Sequence, residues 1–215
     1  MLSPNPLASQ AFDAFLFDMD GTILDSSAAS ERVWGEWARE QGIPTPPYHG
    51  RRVEDTMADL KDAGIDPVRG AAEVTARELV DLEGVVPIPG AVEFLSKLPP
   101  ERWAVVTSAP RELALRRIKA AGLPLPPTLV SAEDVTTGKP SPDPFLAGAR
   151  KLGVDPSRCL VFEDADAGIR AGEAAGCSVL VILHTDSTTM KDRPGVADYI
   201  GIHPEVVDGA LVLRP

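Results

Sequence analysis

The amino-acid sequence predicts an α/β fold: a Rossmann-like, three-layer α/β/α core with a parallel sheet, plus a small inserted α-helical cap domain. Short apolar runs alternate with helical segments over residues 91–183. An earlier apolar run, over residues 12–17, ends abruptly in polar residues, and residues 27–87 are helix-forming without a strand-like run. Strands that are separated by helices of this length indicate crossover connections and a parallel sheet.

The first predicted strand is the run FDAFLF at residues 12–17, which ends in Asp-Met-Asp-Gly-Thr. A short apolar run followed by such residues is typical of a buried strand and a turn. The charged, helix-forming sequence that follows is interrupted by Gly42, a proline-rich loop at 44–47 and Gly64. We therefore predict a helical cap domain over residues 26–86, inserted into a core formed by residues 1–25 and 87–215.

The second half of the chain supplies the rest of the core. Gly122 and Gly176 end two of its helices, as glycine commonly does. Right-handed crossovers between successive strands then place helices on both faces of the sheet. The predicted strands cover residues 103–106, 128–130, 160–162 and 179–183, and the predicted helices cover 91–98, 111–121, 142–152 and 165–175.

Composition limits the kind of protein and its partners. The chain has 215 residues, of which 44% are hydrophobic and 25% charged, and no apolar run approaches the ~20 residues that span a bilayer. A net charge of −11 argues against nucleic acid and anionic membranes as partners. Two cysteines and an N-terminus without a basic signal favour a reduced, cytoplasmic location. We expect a small phosphorylated metabolite as the partner, and a monomer or weak homodimer.

Polar residues follow several predicted strands at the point where each ends. Ligands bind at this edge of an open parallel sheet, so these side chains are expected to meet. Carboxylates crowded together repel one another unless a hard cation lies among them, and Mg²⁺ prefers such oxygen ligands. Magnesium, a lysine, a hydroxyl and turn amides can together hold a phosphate. The residues are Asp18, Asp20, Thr107, Ser108, Lys139, Glu163 and Asp164.

Four segments, in this order, resemble the motifs of the haloacid dehalogenase superfamily: FDMDGT, VVTS, GKPSPD and FEDADAG. The resemblance covers nearly the whole chain, and it is closest to sugar-phosphate and polyol-phosphate phosphatases of that superfamily. It departs from many relatives at Ala109, where they have Gly or Asn, and at Asp166, where close relatives often have Pro. Neither departure removes a group that the mechanism requires.

The resemblance implies a role for each motif residue. Asp18 attacks phosphorus as the nucleophile, Asp20 serves as acid and then base, and Lys139 neutralises charge on the reacting groups. Thr107 and Ser108 belong to the phosphate-binding part of the site. The implied metal ligands are Asp18, the backbone carbonyl of Asp20, Glu163 and Asp164.

A shorter resemblance to these phosphatases lies in the predicted cap, where the relatives have His-Gly followed by a polar or basic residue. It is represented here by His49, Gly50 and Arg51, which we predict to face the substrate. Each predicted site residue also has a simpler interpretation. A lone histidine in a loop is usually polar surface, a lone lysine is usually exposed, and Thr107-Ser108 by itself is typical of a helix N-cap.

The predicted function is a Mg²⁺-dependent phosphatase that hydrolyses a small sugar or polyol phosphate monoester through an aspartyl-phosphate intermediate. A β-phosphoglucomutase-type phosphosugar mutase is an alternative, because it uses the same two aspartates. A non-catalytic binding module of the same fold is another alternative, but such modules usually lose the nucleophile or a metal ligand, and both are present here.

Overall fold

The computed structural model describes residue 7, residues 10–185 and residues 193–215. Residues 1–6, 8–9 and 186–192, which belong to the predicted core, lie outside the described residues. The described strands, in chain order, are β1 (Ala11–Phe12), β2 (Ala14–Phe17), β3 (Leu24–Asp25), β4 (Val86–Pro87), β5 (Trp103–Val106), β6 (Leu129–Val130), β7 (Cys159–Glu163), β8 (Ser178–Ile182), β9 (Gly195–Val196), β10 (His203–Val207) and β11 (Ala210–Arg214). The described α-helices are α1 (Ser27–Gln41), α2 (Val53–Asp59), α3 (Pro67–Glu78), α4 (Ala91–Ser96), α5 (Arg111–Ala120), α6 (Asp143–Leu152) and α7 (Asp166–Ala174).

The core is a parallel sheet, as predicted. Among the described residues its strand order is β6-β5-β2-β7-β8-β9, and every neighbouring pair runs parallel. All residues of β2, β5 and β7 are buried. Strands that are covered on both faces need apolar side chains at every position, which explains why they appear in the sequence as continuous apolar runs.

Helices cover both faces of this sheet and complete the three layers. Phe15 and Phe17 of β2 pack on one face with Phe94 of α4 and Leu113 of α5. The alternate side chains Ala14 and Leu16 pack on the other face, in a cluster that also includes residues of α6 and α7. Successive side chains of a strand point to opposite faces, so β2 contributes to both hydrophobic clusters. The predicted α/β/α fold is confirmed.

Helices α1, α2 and α3 lie between β3 and β4, and we call residues 27–78 the helical insertion. β3 and β4 pair antiparallel, so the chain leaves and re-enters the core at one place. The insertion has its own hydrophobic cluster, which includes Trp34, Trp37, Met57 and Val74. The boundaries 26–86 of a separate cap domain stay a prediction.

The described part of the structure has three strands, β9, β10 and β11, after residue 183, where no element was predicted. β10 and β11 form an antiparallel hairpin, and β1 pairs with the other side of β11. The hairpin turns at Asp208 (φ 50°) and Gly209 (φ 79°), an Asp-Gly pair that favours such turns. Within the described ranges, no helix combines the length and the apolar character that a membrane span requires.

Candidate active site

The strand order brings the predicted site residues to one edge of the sheet. β2 lies between β5 and β7, so the loops that follow these three strands are neighbours. Asp18 directly follows β2, Thr107 directly follows β5, and Glu163 ends β7. This edge is where open parallel sheets bind their ligands.

Lys139 reaches this edge from a loop and is fully buried there. Its ammonium donates a very short hydrogen bond to Asp18 Oδ1, and others to Glu163 Oε1 (2.7 Å) and the carbonyl oxygen of Val106 (3.2 Å). Burial alone would lower the pKa of Lys139, but the charges of Asp18 and Glu163 outweigh burial and raise it. The interpretation of Lys139 as a surface lysine is therefore wrong. Its peptide bond to Pro140 is cis.

Three carboxylates, those of Asp18, Glu163 and Asp164, each place an oxygen atom within 4.8 Å of the others. Burial raises the pKa of Asp18 well above its usual value. Burial and the neighbouring Glu163 carboxylate raise the pKa of Asp164 to about 7. Three acids gathered around one lysine leave negative charge uncompensated, which is the situation that a divalent cation relieves. The predicted metal-binding residues therefore fit a divalent metal.

Neighbouring groups hold these acids in place. Glu163 Oε2 accepts the amide hydrogens of Asp164 (2.8 Å) and Ala165 (2.9 Å). Thr22 and Thr185 donate hydrogen bonds of 3.0 and 3.1 Å to the two oxygens of Asp164. Each oxygen of Asp164 is thus held by one threonine hydroxyl.

Asp20 differs from the other three acids in its position and its contacts. Its side chain lies outside the group of three carboxylates and lines the cavity described below. Its Oδ1 accepts hydrogen bonds from Ser26 Oγ (2.7 Å) and from Nη1 of Arg117 (3.0 Å). As a metal ligand, Asp20 was predicted to use its backbone carbonyl, so this side-chain position leaves that prediction unchanged.

The predicted phosphate-binding hydroxyls, Thr107 and Ser108, line the same cavity. Thr107 Oγ1 accepts the amide hydrogen of Ala109 at 3.0 Å, which leaves the hydroxyl proton available to a ligand. Ser108 Oγ donates to the carbonyl oxygen of Gly50 at 3.0 Å and so joins the core to the helical insertion. Neither residue caps α5, whose N-cap position is Pro110.

His49, Gly50 and Arg51 also line the cavity, from the side of the insertion. His49 is exposed, and its ring centroid lies 4.2 Å from that of Tyr48. Gly50 has a φ of +69°, and a Cβ at this position would lie 2.7 Å from Cβ of Ala165. A larger residue at position 50 would therefore push the insertion away from the core. The Arg51 guanidinium forms an ion pair with Asp59 at 2.7 Å.

The cavity between the sheet edge and the insertion has a volume of about 500 Å³. Several of its lining residues were not predicted from sequence: Ser30, Trp34, Tyr48, Glu78 and Arg117. Trp34 belongs to the cluster within the insertion, as predicted, and it also stacks on Tyr48 with ring centroids 4.9 Å apart. For Arg117 the sequence held a signal that we missed: a charged residue on the otherwise apolar face of α5.

Comparisons with known proteins agree with this fold. The family model of haloacid dehalogenase-like hydrolases matches residues 12–176. Hexitol phosphatase A of Escherichia coli (strain K12) is 42% identical over 177 residues, which cover 78% of this chain and 82% of that protein. Glycerol-1-phosphate phosphohydrolase 2 of Saccharomyces cerevisiae is 35% identical, covering 89% of this chain and 83% of that protein. A hydrolase from Pseudomonas syringae has a similar structure, with a TM-score of 0.71, 28% identity and coverage of 80% and 84%.

The fold and these matches define the class of protein, a hydrolase with a three-layer α/β/α core. The chain belongs to the haloacid dehalogenase-like hydrolase family. Its predicted enzyme class, a phosphoric monoester hydrolase, is confirmed by relatives that are named as phosphatases.

Proposed function

We propose that this enzyme hydrolyses the phosphate monoester of a small sugar or polyol through an aspartyl-phosphate on Asp18, with Mg²⁺ as its metal. The observation that carries the proposal is the contact between Asp18, which lines the cavity, and the buried Lys139, beside the buried Glu163 and the half-buried Asp164. A buried lysine lowers the cost of bringing a phosphate dianion against a carboxylate.

The proposed reaction uses the two aspartates in turn. The Asp18 carboxylate attacks phosphorus while the bond from phosphorus to the ester oxygen breaks, and Asp20 donates its proton to the departing alkoxide. Asp20, now a carboxylate, takes a proton from the water that attacks the aspartyl-phosphate. The bond between phosphorus and Asp18 then breaks, which releases inorganic phosphate and restores both carboxyl groups.

The metal is assigned to Asp18, Asp164, Glu163 and the backbone carbonyl of Asp20. Bound there, Mg²⁺ supplies charge neutralisation for the phosphoryl oxygens. Glu163 already accepts hydrogen bonds from Lys139 and two amides, so its main part is to orient the loop that carries Asp164. Thr107 and neighbouring amides hold a phosphoryl oxygen.

The remainder of the substrate occupies the part of the cavity below the insertion. Several of its lining groups suit a hydroxyl-rich molecule, namely Ser27, Ser30, Glu31, Tyr48 and Glu78. The Tyr48 hydroxyl is buried and has no hydrogen-bond partner among the described residues. A buried hydroxyl without a partner is costly, and a sugar or polyol hydroxyl would satisfy it. Hexitol phosphatase A and glycerol-1-phosphate phosphohydrolase 2 are named for a polyol and a polyol phosphate, which supports the same substrate class.

We assign the helical insertion to a cap domain, over residues 26–86, that selects substrate. Besides Ser108 and Gly50, Arg52 joins the insertion to the core through the carbonyl oxygen of Val135 at 3.2 Å. A cap in this position excludes water from the reacting groups. Because the lining of the insertion is polar, we expect a small metabolite as substrate. We place the enzyme in the cytoplasm, where such substrates are found.

A phosphate-release screen with several millimolar Mg²⁺ tests the proposal. It uses hexose, hexitol, pentose, glycerol and glycolate phosphates, with the D18N variant as the control. We expect release from sugar or polyol phosphates by the wild type and none by D18N. No release from any substrate would overturn the proposal and favour a binding module. Conversion of glucose 1-phosphate to glucose 6-phosphate, without free phosphate, would identify a mutase instead.

A further inference from the structure

Arg117 is a buried charge on a core helix, outside the four sequence motifs. It lies on the face of α5 that also carries the buried residues Leu113, Ala114 and Ile118, and it is 4% exposed. A guanidinium in such a place is costly unless its hydrogen atoms find partners. Both Nη atoms have partners, whereas the buried Nε has none among the described residues. The Nη contacts therefore identify what the residue does.

Those contacts join three separate parts of the chain. Nη1 donates to Asp20 Oδ1 at 3.0 Å, in the loop that follows β2. Nη2 donates to Ser30 Oγ (3.1 Å) and to Glu78 Oε1 (3.0 Å), which belong to α1 and α3 of the insertion. One guanidinium thus connects the core, the insertion and a predicted acid–base group.

The two hydrogen bonds on Asp20 end on the same oxygen. Oδ1 accepts from both Arg117 and Ser26, which fixes the rotation of the carboxylate and leaves Oδ2 for a substrate in the cavity. The guanidinium is planar, and the directions of its donors are fixed relative to one another. Nη1 can therefore donate to Asp20 only while the plane of the whole group keeps the same orientation. Glu78 and Ser30 hold Nη2 and so determine that plane.

We propose that Arg117 is a positioning residue: it fixes Asp20 for proton transfer, and it makes this orientation depend on the seating of the helical insertion through Glu78 and Ser30. The inference rests on the proposed function, in which Asp20 is the acid and base. When the insertion lifts, Nη2 loses its partners, so Nη1 is no longer held in the direction in which it, together with Ser26, orients Asp20. Proton transfer is then efficient only in the closed cavity, where water is excluded.

The test separates the protonation of the leaving group from the rest of the reaction. Rapid-quench kinetics measures phosphorylation of Asp18 from glycerol phosphate, whose alkoxide needs a proton, and from p-nitrophenyl phosphate, whose leaving group does not. For R117M we expect a 10- to 100-fold slower phosphorylation from glycerol phosphate, with less than a 3-fold change from p-nitrophenyl phosphate. This loss is smaller than the roughly 10²- to 10⁴-fold that general acid catalysis contributes in total, because R117M keeps Asp20 itself. The KM for glycerol phosphate should stay within about 3-fold of the wild-type value.

A second variant keeps the test valid if R117M does not fold, since that change leaves Glu78 buried without its partner. E78Q keeps the guanidinium and its hydrogen bond to Asp20 but weakens the interaction of residue 78 with Nη2. We expect phosphorylation from glycerol phosphate to be 3- to 10-fold slower, again without a matching loss for p-nitrophenyl phosphate. R116M is the matched control: Arg116 is on the same helix and donates to the carbonyl oxygen of Leu79, next to the insertion, without contacting Asp20. It should phosphorylate from both substrates at the wild-type rate.

Three results would overturn the inference. They are an equal loss with both substrates, a loss confined to KM, and the same selective loss in R116M. Each of them leaves the proposed function standing, because the wild type still turns over. Absence of phosphate release by the wild type from every substrate of the phosphate-release screen would instead reject the proposed function itself.

Discussion

The ammonium of Lys139 lies 2.7 Å from Glu163 Oε1, and both side chains are completely buried. Lys139 also bonds to Asp18, so one cation links the loop after β2 to the end of β7. A buried ion pair is costly to break, because the partner that remains keeps its charge without compensation. The pair therefore matters for the stability of the fold as well as for the reaction.

Replacing Lys139 by methionine should destabilise the protein by about 3–5 kcal/mol, since it leaves two buried acids without their cation. Urea unfolding in the absence of metal measures this change. The control is K151M, which removes an exposed lysine that pairs with Asp134 at 2.9 Å and should cost at most about 1 kcal/mol. Equal losses in the two variants would contradict the structural role of Lys139.

Replacing Asp18 by asparagine should abolish turnover, by roughly 10⁴-fold or more, while the fold survives. The amide cannot attack phosphorus, yet it has nearly the same shape as the carboxylate. Phosphate release and circular dichroism measure the two effects. Phosphate release by D18N near the wild-type rate would refute the covalent scheme.

Adding Mg²⁺ should raise the melting temperature of the metal-free protein. A ligand at 10 to 100 times its Kd stabilises by about 1.4–2.7 kcal/mol, or roughly 3–10 °C for a chain of this size. Differential scanning fluorimetry in EDTA and in Mg²⁺ measures the shift. D164N should lose most of the shift without being less stable in EDTA, since a carboxylate whose pKa is raised by burial and by Glu163 is unfavourable there. A full shift in D164N would remove Asp164 from the metal site.

Replacing Gly21 by alanine should disturb Asp164 directly. Gly21 has a φ of +87°, and a Cβ there would lie 1.9 Å from Asp164 Oδ2. Displacing a catalytic group by about 1 Å can cost 10²-fold in rate, so we expect a loss of that order in kcat/KM. G42A is the control: its φ of +70° imposes similar backbone strain, but nothing lies within 4 Å of the added Cβ. A rate loss in G42A as large as that in G21A would show that backbone strain, and not the clash with Asp164, causes the loss.

Replacing His49 by alanine should change the order of preferred substrates, with the phosphoryl-transfer groups still working. His49 lines the cavity from the insertion, and its exposure predicts a stability change within about 0.5 kcal/mol. R51A should alter the preference less, because the Arg51 guanidinium is already paired with Asp59. The measurement is kcat/KM across the substrate screen, with H203A, a change in β10, as the control. An unchanged substrate profile in H49A would remove this loop from substrate recognition.

Much of the fold was predictable because its signals are local. Buried parallel strands need consecutive apolar residues and amphipathic helices need a periodic apolar face, so each core element is visible within a short stretch of sequence. The C-terminal hairpin was missed although β11 is an apolar run and Asp208-Gly209 favours a turn. Its partner β1 comes from the other end of the chain, and no local pattern shows that pairing.

By itself the sequence determined the order of the elements, the family resemblance and the residue types that gather at the edge of the sheet. The tertiary structure decided which of those groups touch. Lys139 and Asp18 are 121 residues apart, and Arg117 and Asp20 are 97 apart. Their contacts depend on how α5, the loops and the helical insertion pack against one another. From the sequence alone, a guanidinium on an apolar helix face predicts only an unfavourable buried charge. Its role becomes visible in the tertiary structure, where packing places one acid from the core and another from the insertion beside it.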